Sequence, residues 1–267
     1  MPQTIPKKNL LRSSILLRLL TGIIALFLIL FLAFPIGFYG MALYIEPSLP
    51  KMSELKAMPL EMPLQIYTKD AKLIGQYGNT YSMPISYDEL PSTMIQAFLA
   101  AEDDSFFEHS GISVKGLGRA ITQMVSDSDQ QTGGSTITQQ VAKNYFLSSE
   151  QTFQRKLTEM FLARRIESEL NKQEILTLYV NKIYLGQGAY GIKAGARRYY
   201  NKELHELTLA EMAMLAGLPK APSEFNPVAN PKRALERRNW ILGRMLAQGF
   251  INQAQYNEAI ATGVDLQ

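Results

Sequence analysis

The spacing of apolar and polar positions changes character along this chain. From Leu19 to Ile45 no charged residue interrupts an apolar run. At about 1.5 Å per residue such a run exceeds the roughly 20 residues a helix needs to cross a bilayer. Lys7, Lys8, Arg12 and Arg18 precede it with no acid among them, and Glu46 follows, which puts residues 1–18 on the cytoplasmic side. Pro35, Gly37 and Gly40 are expected to kink or end this helix, with Tyr39 and Tyr44 at the outer interface. The run is too long for a signal-peptide core and no small-x-small cleavage site follows it, so it reads as an uncleaved anchor. Pro47, Pro50, Pro59 and Pro63 then mark an extended connector over 46–63. Leu64–Thr68 and Lys72–Tyr77 read as a small β-hairpin with its turn near Asp70. From Leu90 onward helical spacing takes over, broken by Gly-rich loops.

Within the first of these helices one position breaks the rule. Met94, Ile95, Phe98 and Leu99 form one face, and its next turn carries Glu102. Asp103, Asp104, Phe106, Glu108 and His109 follow before the helix should break at Ser110-Gly111. A lone acid at a helix end is ordinarily salt-bridged or faces water. A carboxylate held in an apolar surrounding is costly unless paired, and burial raises its pKa toward the range useful for proton transfer. The density of acids, aromatic rings and histidine here favours a site.

Ile112–Val125 mixes apolar residues with Lys115 and Arg119, as a surface helix or one lying in lipid headgroups would, and 126–132 is a polar loop. Gly133-Gly134 then permits a tight turn before a helix that Ser135 or Thr136 can cap. Along it Ser135 and Gln139, Thr136 and Gln140, and then Lys143 and Asn144 bring hydroxyls, amides and an ammonium together. An apolar core has no use for such a face, whereas a sugar diphosphate does. No Walker loop is present, because the Gly-Lys-Ser/Thr ending is missing. In the next helix Arg155 and Glu159 stand at i,i+4 in the weaker, cation-first order, worth a few tenths of a kcal/mol on an exposed surface. A solvated charged face including Lys156 is the default reading there. Asn171–Glu174 and Thr208–Glu211 are cap signals for helices Ile175–Asn181 and Leu209–Leu218. Helices are also expected over Ile192–Tyr200 and, amphipathic and basic, Ala234–Gln248. A short last one should start near Gly249.

Composition narrows the chemistry. There is no cysteine, which removes disulfides, thiolate metal sites and thiol nucleophiles, and only two histidines, too few for a His-rich zinc site. A net charge of +3 gives no reason to expect nucleic acid as a partner.

Glu102-Asp103-x-x-Phe106-x-x-His109-x-Gly111 resembles the first signature of the peptidoglycan glycosyltransferases, the family 51 domain of monofunctional transglycosylases and class A penicillin-binding proteins. Gly133–Asn144 resembles the second, Arg155-Lys156-x-x-Glu159 the third, and Asn181-x-Ile183-Tyr184-x-Gly186 the fourth. Pro219-Lys220-Ala-Pro222-Ser-x-Phe225-Asn-Pro227 resembles the fifth, in its class A form. Many relatives carry a basic residue near Gln151 that helps bind the pyrophosphate, and here Glu150-Gln151 stands instead, leaving Lys143 and Arg155 as phosphate ligands.

The resemblance implies a mainly α, lysozyme-like fold with a small membrane-apposed lobe at about 112–132 and a cleft lined by Glu102 and Glu159. It implies a cytoplasmic tail over 1–18, a transmembrane helix over 19–45, a connector with the hairpin over 46–89 and the enzyme over 90–267. The protein would be a single-pass protein of the bacterial inner membrane with its catalytic part outside. It would join lipid II to a growing lipid-linked glycan with inversion, Glu102 acting as general base. Glu159 would steady the leaving diphosphate. Asp103, Phe106, His109, Gly134, Ser135, Thr136, Gln139, Gln140, Lys143, Asn144, Arg155, Lys156 and Asn181 would contact substrate. No tightly bound cofactor is implied, although a divalent cation, magnesium or manganese, near Glu102 or Glu159 is compatible with it. The lipid bilayer, moenomycin-type inhibitors and other cell-wall synthesis proteins are the implied partners. A glycan-cleaving lytic transglycosylase is the enzymatic alternative, disfavoured by the lysine-lined second signature. A silent membrane scaffold is the other, disfavoured by the presence of Glu102 and Glu159. Ser53-x-x-Lys56 fits a transpeptidase pattern by coincidence, since no Lys-Thr-Gly accompanies it.

Overall fold

The computed structural model describes residues 8–49, 64–70, 73–77, 81–116, 118, 134–147 and 152–266. The chain divides into two compact units, Met1–Leu49 and Pro50–Gln267. In the first, α1 runs over Lys8–Ile45 and leads into a single 3-10 turn, Glu46–Ser48. Its segment Leu20–Ile45, of mean hydropathy 2.5, is long and apolar enough to cross a membrane, and Leu20, Ile23, Phe27 and Phe31 stand exposed along it. Of the two outcomes expected at Pro35, Gly37 and Gly40, a kink or an end, the end does not occur, and α1 continues to Ile45. Proline removes a single N–H bond, and an apolar run that must satisfy its own backbone continues past it.

The second unit opens with β1 (Leu64–Tyr67) and β2 (Leu73–Tyr77), which pair antiparallel with Leu64 opposite Tyr77 and a register shift after Ile66. Residues 71–72 between them lie outside the described residues. The remainder is mainly helical: α2 (Ser92–Glu102), α3 (Ile137–Phe146), α4 (Phe153–Glu169), α5 (Lys172–Lys182), α6 (Ile192–Tyr200), α7 (Leu209–Gly217), α8 (Pro231–Ala247) and α9 (Gln253–Ala261). One strand pairing was not foreseen. Tyr81–Ser82 (β3) runs parallel to Ala189–Tyr190 (β4), inside the Gly-rich loop before α6.

Local chemistry sets the helix ends. Reciprocal capping boxes open α3 (Thr136 with Gln139), α5 (Asn171 with Glu174), α7 (Thr208 with Glu211) and α9 (Asn252 with Gln255). Pro231, pre-set for the first helical position, starts α8 earlier than its apolar pattern suggested. Gly249 closes α8 instead of starting α9. Its φ is +72°, Gly249 N–H donates to Leu246 O, and Phe250 N–H donates to Met245 O, a Schellman ending that only a left-handed residue allows.

The core forms around α2, whose Met94, Phe98 and Leu99 are buried together with Ala97, Ala100 and Ala101. Its last two turns are buried almost all round, so its C-terminal residue is delivered to the interior. Helices α7 and α8 pack on α2 and on each other, while α3 packs on α4 and α5. The loop after α2 is pressed against α4 at Gly111. There φ is +89° and an added Cβ would stand 2.8 Å from Ala163 O, so only glycine fits.

Candidate active site

Glu102 is the last residue of α2, and its side chain is 7% exposed. Oε2 accepts a hydrogen bond of 2.8 Å from Gln140 Nε2 on the first turn of α3. Oε1 is buried and accepts no hydrogen bond from the described residues, with Arg237 Nη2 3.8 Å away. Burial pushes the Glu102 carboxyl up from its ordinary value. The Arg237 charge, the Gln140 hydrogen bond and Lys220 pull the other way, and Asp103 adds slightly to the rise. Tyr179 of α5 is fully buried beside this group, edge-on to Phe98 at 5.5 Å. Burial first, and then the Glu102 charge, hold its hydroxyl well above the usual phenol range.

The second acid, Glu159 on α4, is also internal, with a side chain 3% exposed. Arg155 Nη1 donates to its Oε2 at 3.1 Å and Lys156 Nζ to its Oε1, while Lys156 also donates to Ser135 Oγ at 2.7 Å. The solvated charged face expected for this helix is therefore not what forms. Arg155, Lys156 and Glu159 make a partly buried cluster that reaches the start of α3. Arg155 Nε is buried with no hydrogen-bond partner among the described residues.

Several residues expected to contact substrate turn inward instead. Asp103, 3% exposed, accepts from Ile137 N at 3.1 Å and from His109 Nε2 at 2.8 Å, so it joins the end of α2 to the start of α3. His109 Nδ1 accepts from Gly111 N, and Lys172 Nζ donates to His109 O and to Glu167. Phe106 is fully buried, with Lys172 Nζ 4.4 Å above its ring. Thr136 and Gln139 spend their polar atoms on the capping box, and Thr136 Oγ1 also donates to Gly111 O at 2.7 Å. The expected shared face is thus divided, because Gln139 closes the helix end while Gln140 faces Glu102. Asn181 accepts from Ile85 N and donates to Ile85 O, which occupies its amide in fastening that extended segment to α5. Gly134 and Lys143 remain exposed, and Ser135 and Asn144 are half-buried.

Three residues near Glu102 were not anticipated: Tyr179, Lys220 and Arg237. The signal for Arg237 was present in the sequence. It falls on the same face of α8 as Ala234, Ile241 and Met245, as Glu102 falls on the apolar face of α2. Among the described residues no three His, Asp or Glu side chains gather as metal ligands. Glu159 is already held by two cations and Glu102 faces a third, so these acids as placed do not fit a divalent cation. Most of the expected small lobe at 112–132 lies outside the described residues.

A sequence model of the transglycosylase family matches residues 70–246, a range that holds both buried acids, and the chain belongs to that family. Its relatives include type 1A penicillin-binding proteins. The chain is 54% identical to penicillin-binding protein 1A of Pseudomonas aeruginosa over 225 residues, covering 84% of this chain and 27% of that protein. It is 50% identical to penicillin-binding protein 1A of Escherichia coli over 220 residues, 82% of this chain and 26% of that protein. The crystal structure of penicillin-binding protein 1A from Haemophilus influenzae is 33% identical, covers 79% of this chain and 22% of that chain, and gives a TM-score of 0.47. The chain thus spans about a quarter of the length of the curated relatives it matches.

Proposed function

We propose that this chain is a peptidoglycan glycosyltransferase that polymerises lipid II into β-1,4-linked strands. The observation that carries this reading is the Glu102 carboxyl, buried at the end of α2, held through one oxygen by Gln140 and raised by burial in its affinity for a proton. In the reaction the Glu102 carboxylate takes the proton of the acceptor 4-hydroxyl as that oxygen attacks C1 of the donor sugar. The bond from C1 to the phosphate oxygen breaks, its electron pair leaving on undecaprenyl pyrophosphate, and attack from the opposite face inverts the anomeric centre. Lys143 and Arg155 meet the developing charge on the diphosphate, and Glu159 orients Arg155 and Lys156 for that task.

The rest of the organisation belongs to the same proposal. Residues 1–18 form a cytoplasmic tail, 19–45 the membrane anchor and 46–89 the connector. Residues 90–267 form the lysozyme-like enzyme outside the inner membrane, with a membrane-apposed lobe at 112–132. A glycan-cleaving enzyme would meet no diphosphate at Lys143.

The test is polymerisation of labelled lipid II by the protein in detergent, with and without moenomycin. Glu102→Gln keeps the side chain's shape and its contact with Gln140 but cannot take up a proton. Turnover should fall at least ~100-fold while lipid II analogues still bind. Near-normal turnover in Glu102→Gln would transfer the role of base to another group.

A further inference from the structure

Glu102 and Arg237 are charges that two helices carry on their apolar faces. Arg237 is 1% exposed. Its stem crosses the end of α7 at Gly217, where an added Cβ would stand 2.9 Å from Arg237 Cγ. Its guanidinium lies 4.4 Å from the Trp240 ring and 5.6 Å from the Phe225 ring. The neighbouring Arg238 is equally buried but does ordinary structural work, donating to Ile260 O, Thr262 O and Gly263 O at the end of α9. Arg237 instead points its charge at the acid, 3.8 Å from Glu102 Oε1.

We propose that Arg237 is a positioning residue for the general base: clamped by Gly217, Trp240 and Phe225, it keeps Glu102 a carboxylate without occupying Oε1. This rests on the reading of Glu102 as the base. The separation is longer than the roughly 2.7–3.2 Å of a hydrogen bond, so the cation acts through space and does not tie up a lone pair of the carboxylate. A bidentate arginine would hold the acid ionised but cover the atom that must accept the proton. The surrounding groups fit this division. Gln140 from α3 takes the other oxygen, Tyr179 from α5 closes the apolar side, and Lys220 after α7 supplies a more distant cation. Asp103, on Glu102's own element, is turned away into its contacts with His109 and Ile137. Arg237 is the strongest of the influences that oppose the effect of burial on Glu102.

Trp240 is the only tryptophan in the chain, so its emission reports on the neighbouring arginine. The experiment titrates Trp240 emission and the pH profile of lipid II polymerisation in the full chain in detergent, for wild type, Glu102→Gln, Arg237→Gln and Arg237→Lys. In wild type the emission should show a transition that disappears in Glu102→Gln. In Arg237→Gln that transition and the acid limb of turnover should move up together by about one pH unit, a roughly tenfold loss at a fixed pH on the limb. Arg237→Lys should restore most of the shift. A lower turnover in Arg237→Gln with an unmoved limb and an unmoved emission transition would make Arg237 merely structural and overturn the proposal. Normal polymerisation by Glu102→Gln would instead overturn the assignment of the base, whatever Trp240 reports. If Arg237→Gln does not fold, adding Glu102→Gln should restore folding, because the uncompensated buried carboxylate is then gone. Absence of that rescue also overturns the proposal.

Discussion

Asp103 distinguishes a residue that binds substrate from one that builds the site. In the structure it is a bracket, with Oδ2 accepting from the first N–H of α3 and from His109 in a surrounding that leaves the residue 3% exposed. Asp103→Ala removes both charge-assisted hydrogen bonds and strands the Ile137 N–H and the His109 Nε2–H. Each such bond contributes about 1.5–3 kcal/mol, so the loss should be about 3–6 kcal/mol, a large part of the roughly 5–15 kcal/mol available to a domain. For a domain of this size that corresponds to a fall in Tm of about 10 °C. Asp103→Asn keeps one carbonyl oxygen that can still accept from Ile137 N, and its loss should be about half as large. The measurement is thermal unfolding of the full chain in detergent, followed by near-ultraviolet circular dichroism, beside the affinity for a lipid II analogue well below Tm. The bracket predicts a Tm that drops in the order Ala, Asn, wild type, with little change in affinity at low temperature. An unchanged Tm with weakened binding in Asp103→Ala would refute this reasoning and return Asp103 to the substrate.

Lys143→Met keeps most of the stem of an exposed side chain, so Tm should hold while polymerisation falls roughly 10- to 150-fold, as losing a charge-assisted contact of about 1.5–3 kcal/mol implies; full activity in a normally folded variant would remove Lys143 from the diphosphate. The Glu102 carboxyl, raised in the folded state above its ordinary 4.5, contributes stability that is fully present below pH 4.5 and is lost as pH rises through the folded value. Wild type should therefore lose stability relative to Glu102→Gln across that window, and a Tm difference that stays constant with pH would contradict the burial of the charge.

The helices were legible in the sequence because periodicity and caps agree. Asn171–Glu174 and Thr208–Glu211 announced α5 and α7, and helix α6 was expected over the residues it occupies, Ile192–Tyr200. Glu102 was legible as an acid on an apolar face. What stayed hidden was the division of labour inside each motif. Asp103, Phe106 and Asn181 stand among the ligand-like residues in sequence, yet their polar atoms or rings are engaged by distant segments, and the Gln139 carbonyl is taken by its own helix cap. Helical spacing gives the face of a residue but not the chain that will cover it. The same limit holds for Arg237, whose place on the apolar face of its helix could be read from the spacing but whose partner, the end of a helix far away in sequence, could not.

The hydrogen bond from Thr136 Oγ1 to Gly111 O and the one from Ile137 N to Asp103 have a consequence for engineering. Together they sew shut the two ends of the stretch between the first and second signatures. A segment whose ends are fixed at hydrogen-bond distance is, to the surrounding helices, a cassette. A change of length between these two anchors should therefore leave the acids on α2 and α4 in place as long as both hydrogen bonds survive.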